Sequence, residues 1–133
     1  MKKLIFTTLF SLLSVIMAMA DGTAEIRFEK TTHDFGSFSE NNPKVTCTFK
    51  FINVGDGPLV IHQAMGTCGC TVPEYPKEPI RPGESGEITV TYNGEGKFPG
   101  KFQKTVTVRT NGKSEITRLV IKGDMMPASE EAE

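Results

Sequence analysis

The sequence predicts an all-β domain, a single sandwich of about seven short strands. Three observations carry that expectation. Apolar residues recur at every second position in run after run, and the wider spacing of an amphipathic helix is almost absent. Clusters of Gly, Pro, Asn and Asp separate the runs at intervals of roughly 8–12 residues. One sheet of this size would leave a face unburied, so two packed sheets are the natural solution.

The elements follow in order. Ile26 and Phe28 alternate with charged residues and open the first strand. That strand is expected to bend at Thr32-His33-Asp34-Phe35-Gly36. Phe35 would point into the core, Gly36 would permit the bend, and Asp34 would accept nearby backbone N–H groups. Val45, Cys47, Phe49 and Phe51 alternate with Thr46, Thr48, Lys50 and Ile52. Asn53-Val54-Gly55-Asp56-Gly57-Pro58 then reads as a sharp connection to a short run at Leu59 and Ile61. An antiparallel return at this connection would set Cys47 opposite Gln63. Arg81-Pro82-Gly83 precedes the run Ile88, Val90, Tyr92. Phe102, Val106 and Val108 form the next run, and Ile116 to Ile121 the last. Asn111-Gly112 between them predicts a two-residue hairpin, because both central positions of such a turn favour positive φ.

The chain ends differ from this pattern. Lys2 and Lys3, an apolar run from Leu4 to Met17, and Ala18-Met19-Ala20 have the form of a secretory signal peptide over residues 1–20. The run is shorter than the ~20 apolar residues of a membrane span, so no transmembrane segment is expected in the mature chain. No cysteine follows the run, which argues against a lipid anchor. The domain is then expected over 21–124, and 125–133 read as an acidic, frayed tail. Removal of the leader leaves 113 residues, with 13 basic against 16 acidic, a net charge of about −3. That balance and the absence of a basic cluster exclude nucleic acid as an expected partner. The leader points to the periplasm, the outer membrane or the exterior of a Gram-negative cell. Disulfides persist in such compartments, yet three cysteines cannot all pair within one chain.

Several stretches together resemble a known family. They are Thr32-His33-Asp34-Phe35-Gly36, Phe49-x-Phe51-x-Asn53-x-Gly55, Pro58-Leu59-Val60-Ile61, Cys68-Gly69-Cys70-Thr71-x-Pro73, Pro79-Ile80-x-Pro82-Gly83 and Gly86-x-Ile88-x-Val90. In order and spacing they resemble the exported bacterial family called domain of unknown function 1573. That family is similar to the immunoglobulin-like sandwiches of the major sperm protein and Hydin type. The resemblance spans residues 26–123 and implies an immunoglobulin-like fold and export, but no activity.

No complete catalytic set is present. His33 and Asp34 are adjacent in a strand and so point to opposite faces. Gly83-Glu84-Ser85-Gly86 leads into a strand, whereas a nucleophile elbow leads into a helix. The Asn53–Gly57 stretch lacks both the helix of a phosphate loop and the spaced acids of a calcium loop. There is no tryptophan, so a sugar platform would rest on Tyr75 and Phe98 alone. No cofactor is implied. Pro73, Pro76, Pro79 and Pro82 recur every third residue, the repeat of polyproline II. They form a stiff crossover that protects a sheet edge or, with Tyr75 and Phe98, a loop that docks on an unidentified protein or envelope component.

The cysteines leave three readings open. Cys47 shares the buried face of its strand, and the spacing to Cys68 does not call for a bond. Cys68 and Cys70 flank Gly69, which lets the chain bend enough to bring them together. They could pack or form a structural disulfide, act in thiol redox, or hold a soft ion such as Cu(I) with help from His62. The sequence thus presents a non-enzymatic interaction module, with a thiol or soft-metal protein as the alternative.

Overall fold

The computed structural model describes residues 22–128. The expected leader and residues 129–133 of the expected tail lie outside them. Eight strands form two four-stranded sheets: β1 (Ile26–Phe28), β2 (Thr32–Ser39), β3 (Lys44–Asn53), β4 (Ile61–Gly66), β5 (Thr71–Glu74), β6 (Ser85–Asn93), β7 (Gly100–Thr110) and β8 (Ile116–Met126). One sheet has the order β1-β3-β6-β5 and the other β2-β8-β7-β4. This is the two-sheet arrangement of an immunoglobulin-like sandwich.

The strand count exceeds the expected seven because the first expected strand is divided between the sheets. β1 pairs antiparallel with β3, and β2 pairs parallel with β8. The chain changes sheets at residues 29–31, before Phe35. At Gly36 the backbone has φ 68° and the β2–β8 register shifts, so the expected bend is a bulge. The Asp34 carboxylate accepts the Gly36 N–H at 2.8 Å, as its position in the sequence suggested.

The alternating residues supply the core. Phe49, Phe51, Ile88, Val90 and Tyr92 face Val106, Val108, Leu119 and Ile121, and all nine are buried. Toward the end of the sandwich near Asn93, the rings of Tyr92 and Phe102 stack with centroids 3.9 Å apart. Phe102 lies over Gly123, its cross-strand partner, where a Cβ would stand 2.9 Å from the ring. Phe35 and Phe38 close this cluster from β2.

Three sequence expectations are corrected. β3 and β4 do not form an antiparallel pair, because the chain crosses between sheets after Asn53. Cys47 is opposite Val90 of β6, not Gln63. The Asn111-Gly112 hairpin is also longer than two residues: Thr110 N–H donates to the Glu115 carbonyl, and neither central residue has positive φ. A tertiary contact wins there. The Asn111 amide donates to the Pro58 carbonyl at 3.0 Å and accepts the Val60 N–H at 2.8 Å, which pins the loop to the neighbouring segment. Finally, β8 runs into the expected tail. Met125 is 2% exposed and Met126 is the last strand residue. Burying one such side chain contributes about 1.5–3 kcal/mol, enough to hold the strand end in the sheet.

Candidate functional site

The Cys68-Gly69-Cys70-Thr71 stretch forms a corner between the sheets. β4 is an edge strand of one sheet and β5 of the other, so the four residues between them must carry the chain across the end of the sandwich. Gly66 opens the corner. The Thr71 carbonyl lies so close to it that a Cβ would collide. The Thr67 N–H donates to the Thr105 carbonyl, Thr71 N–H to the Cys68 carbonyl, and Asn93 N–H to the Cys70 carbonyl at 2.8 Å. These bonds tie the corner to both sheets.

Cys68 and Cys70 are joined by a disulfide, with Cα atoms 5.2 Å apart. Closing so short a loop restricts the unfolded chain by only about 1.5 kcal/mol, against about 3 for a 15-residue loop. Gly69 is exposed, with open space where a Cβ would stand. Cys68 is half-buried and Cys70 is 9% exposed. The buried Thr71 hydroxyl lies 3.8 Å from both sulfurs. Cys47 stays a free, buried thiol, and burial pushes its pKa up to about 11.

The structure does not bring His62 to this corner. His62 stands near the opposite end of β4, in a groove with Tyr75, Asn111 and Ile116. The two sulfurs are bonded to each other, and a disulfide is not a thiolate ligand. Among the described residues no group of three or more His, Cys, Asp or Glu side chains is placed to hold a metal ion.

The expected docking loop is not one surface. Pro73 lies within edge strand β5. The Asn93–Cys70 bond makes Val72 the next residue bonded to β6, so Pro73 turns its missing N–H outward. This fits the edge-protecting reading of the prolines. Pro76 is half-buried and Pro79 exposed. Tyr75 packs against the core, and the Lys77 ammonium sits 3.3 Å from its ring centroid. Phe98 is 97% exposed in the β6–β7 loop. That loop follows Asn93, whereas Tyr75 follows Glu74, which is paired with Thr89. Four strand positions, about 13 Å at ~3.3 Å per residue, separate Thr89 from Asn93. Tyr75 lines a groove with Arg109 and Asn111, far along β7 from the Gly100 end that follows Phe98, so the two aromatics do not form a shared platform.

The remaining motif residues are structural. His33 and Phe35 stack edge to face at 4.7 Å. Pro82 and Gly83 are the central residues of a turn closed by the Glu84 N–H to Arg81 carbonyl bond, with Gly83 at φ 83°. That is the residue pair a type II turn requires. Asn53 is fully buried. Its amide donates to the Gly57 and Ile80 carbonyls and accepts the Glu25 and Gly55 N–H groups.

A second feature was not apparent from the sequence. β1 ends at Phe28, and its last bond runs from the Glu29 N–H to the Lys50 carbonyl. Ladder bonds alternate, so the next outward-facing backbone groups on β3 belong to Thr48, Thr46 and Lys44. No strand among the described residues pairs with them.

With this geometry in view, residues 26–125 match the family model described as protein of unknown function (DUF1573). The chain belongs to that family. No curated protein sequence matches it. Among solved structures, a protein of unknown function from Porphyromonas gingivalis W83 aligns at TM-score 0.64 and 19% identity, over 78% of this chain and 47% of that one. The chain thus spans less than half of that protein. The PapD-like domain 7 of human CEP192 aligns at TM-score 0.63 and 9% identity, over 80% of this chain and 88% of that one. The YadV chaperone aligns at 0.51 and 17%, over 77% and 52%. At these identities the likeness is one of fold: this DUF1573 domain is built like PapD-like and immunoglobulin-like domains. Among the described residues no helix is long and apolar enough to cross a membrane.

Proposed function

We propose that this DUF1573 protein is an exported, non-enzymatic interaction module that receives an extended segment of a partner protein on the open edge of β3. The observation that carries the reading is a difference between sheet edges. An exposed edge is a template for another strand unless something blunts it. β5 carries Pro73, β4 has a register irregularity between Ile61 and Gln63, and β2 is bulged at Gly36. β1 is only three residues long. The outer half of β3 has no proline and no bulge, and its single charge is Lys44. Its unpaired N–H and C=O groups at Thr46 and Thr48 match the backbone of an added strand. The likeness in fold to the YadV chaperone supports an interaction role at the level of analogy.

Thr46→Pro tests this reading. Its N–H points away from β6, because the odd-numbered residues of β3 make those bonds: Asn53 N–H donates to the Glu84 carbonyl. Wild type and variant would be immobilised, exposed to envelope extract of the native cells, and compared by titration with the purified partner. The expected result is at least a ten-fold loss of affinity in a variant whose circular dichroism is unchanged. Equal affinity would remove β3 as the docking edge. Turnover of a defined substrate, lost on changing one surface residue, would overturn the non-enzymatic reading.

A further inference from the structure

We propose that the Cys68–Cys70 disulfide is a site of reversible thiol–disulfide exchange, with Cys68 as the attacked sulfur and Cys70 as the leaving group. Its substrate is a protein or small-molecule dithiol. This rests on the corner geometry and is independent of the β3 edge.

Four observations converge. The bridge closes a loop with a single intervening residue, so it constrains the unfolded chain about half as much as a 15-residue loop would. The two cysteines are placed differently: Cys68 is half-buried and packs against the core cluster from outside, whereas Cys70 is 9% exposed and belongs to the cluster. Gly69, between the two cysteines, is exposed and has open space where a Cβ would stand. The Thr71 hydroxyl lies 3.8 Å from both sulfurs and can donate to whichever one carries the negative charge.

The chemistry balances as a two-electron exchange. A thiolate of the donor attacks Cys68 Sγ. A mixed disulfide forms, the Cys68–Cys70 bond breaks, and its electron pair stays on Cys70 Sγ beside Thr71. The donor's second thiolate attacks its own sulfur in the mixed disulfide and releases Cys68 as a thiolate. The donor is oxidised to a disulfide, the two cysteines are reduced, and they take up the two protons released by the donor thiols. Cys47 has no part in this. It is buried, and its thiol stays protonated at neutral pH.

The test uses wild-type protein purified without reductant. Thiol titration after unfolding is expected to find one free thiol, that of Cys47. In the folded state, dithiothreitol should release two more, and oxidised glutathione should close the bridge again. Brief treatment with reduced glutathione, acid quenching and peptide mapping should place the adduct on Cys68 at least ten-fold more often than on Cys70. Thr71→Val should slow reduction about five-fold, and Thr71→Ser should restore the rate. Three thiols at the outset, reduction only on unfolding, or an adduct shared equally by the two sulfurs would each overturn the proposal. The adduct measurement needs no variant, so it decides the question even if Thr71→Val does not fold.

Discussion

Replacing Asn53 by leucine is the sharpest test of how this sandwich is held together. The residue is fully buried. Its side chain makes four hydrogen bonds, to Gly57 and Ile80 at 2.8 and 2.9 Å and from Gly55 and Glu25 at 3.0 and 3.3 Å. These join the residues preceding β1, the crossover after β3 and the segment before β6. Leucine has similar volume but no polar atoms. The substitution therefore strands the Gly57 carbonyl, leaves the Ile80 carbonyl with the Leu59 N–H as its remaining partner, and strands two N–H groups in less enclosed positions. A buried polar group left without a partner costs about 1–3 kcal/mol. Water reaches the N–H groups of Glu25 and Gly55 more readily, so the Gly57 carbonyl dominates, the bond lost at Ile80 adds about 0.5–1.5 kcal/mol, and the expected loss is about 1.5–4.5 kcal/mol. That is a large fraction of the roughly 5–15 kcal/mol that holds a typical domain. The assay is urea denaturation followed by circular dichroism, with the slope compared between variants to verify two-state behaviour. Asn53→Asp should be no better, because it keeps the acceptor but loses both donors and buries a charge. A loss below about 1 kcal/mol for Asn53→Leu would refute the claim that these bonds are not replaceable by water.

Other outcomes follow from particular contacts. Gly86→Ala drives a methyl group into the ring of the buried Phe51, and overpacking of this kind costs about 1–3 kcal/mol; an unchanged urea midpoint would contradict the packing. Phe98→Ser should shift stability by less than about 0.5 kcal/mol, because the ring is almost wholly exposed; a melting temperature lowered by several degrees would show that the ring is packed. Alkaline pH should destabilise the fold through Cys47, whose thiol is raised from 9.0 to about 11. The folded state keeps that proton where the unfolded chain gives it up, so the contribution is complete below pH ~9 and is lost progressively toward pH ~11, by about 2–3 kcal/mol. Cys47→Val should flatten the decline, leaving the part due to Tyr92, whose hydroxyl is shifted upward by burial. Identical slopes for variant and wild type would refute the assignment.

Much of the architecture is written in local pattern. Val45, Cys47, Phe49 and Phe51 alternate with polar residues, and a strand with one buried face accepts only one such phase. Pro82-Gly83 and Asp34-Gly36 carry their turn chemistry within a few residues, so their geometry was legible. Asn111-Gly112 was misread because the Asn111 amide bonds to Pro58 and Val60, some fifty positions away in sequence. The tail boundary differs for a related reason: Met125 lies past the apolar run that ends at Ile121, and it is buried beside Gly94, which follows β6 of the facing sheet.

The candidate sites divide in the same way. Residue type and spacing alone marked Cys68, Gly69 and Cys70 as a pair that could close locally, because a one-residue separation keeps two sulfurs within reach in a bent chain. Their unequal exposure, the Thr71 hydroxyl beside both sulfurs and the distance to His62 depend on where β4 and β5 meet. The open edge of β3 was not legible at all. It exists because the chain leaves one sheet at residues 29–31 and joins the other, a choice made by pairing partners distant in sequence. Alternation determines which residues face inward; only the assembled sheets decide which backbone edges remain without a partner, because that depends on the order of strands and not on the strands themselves.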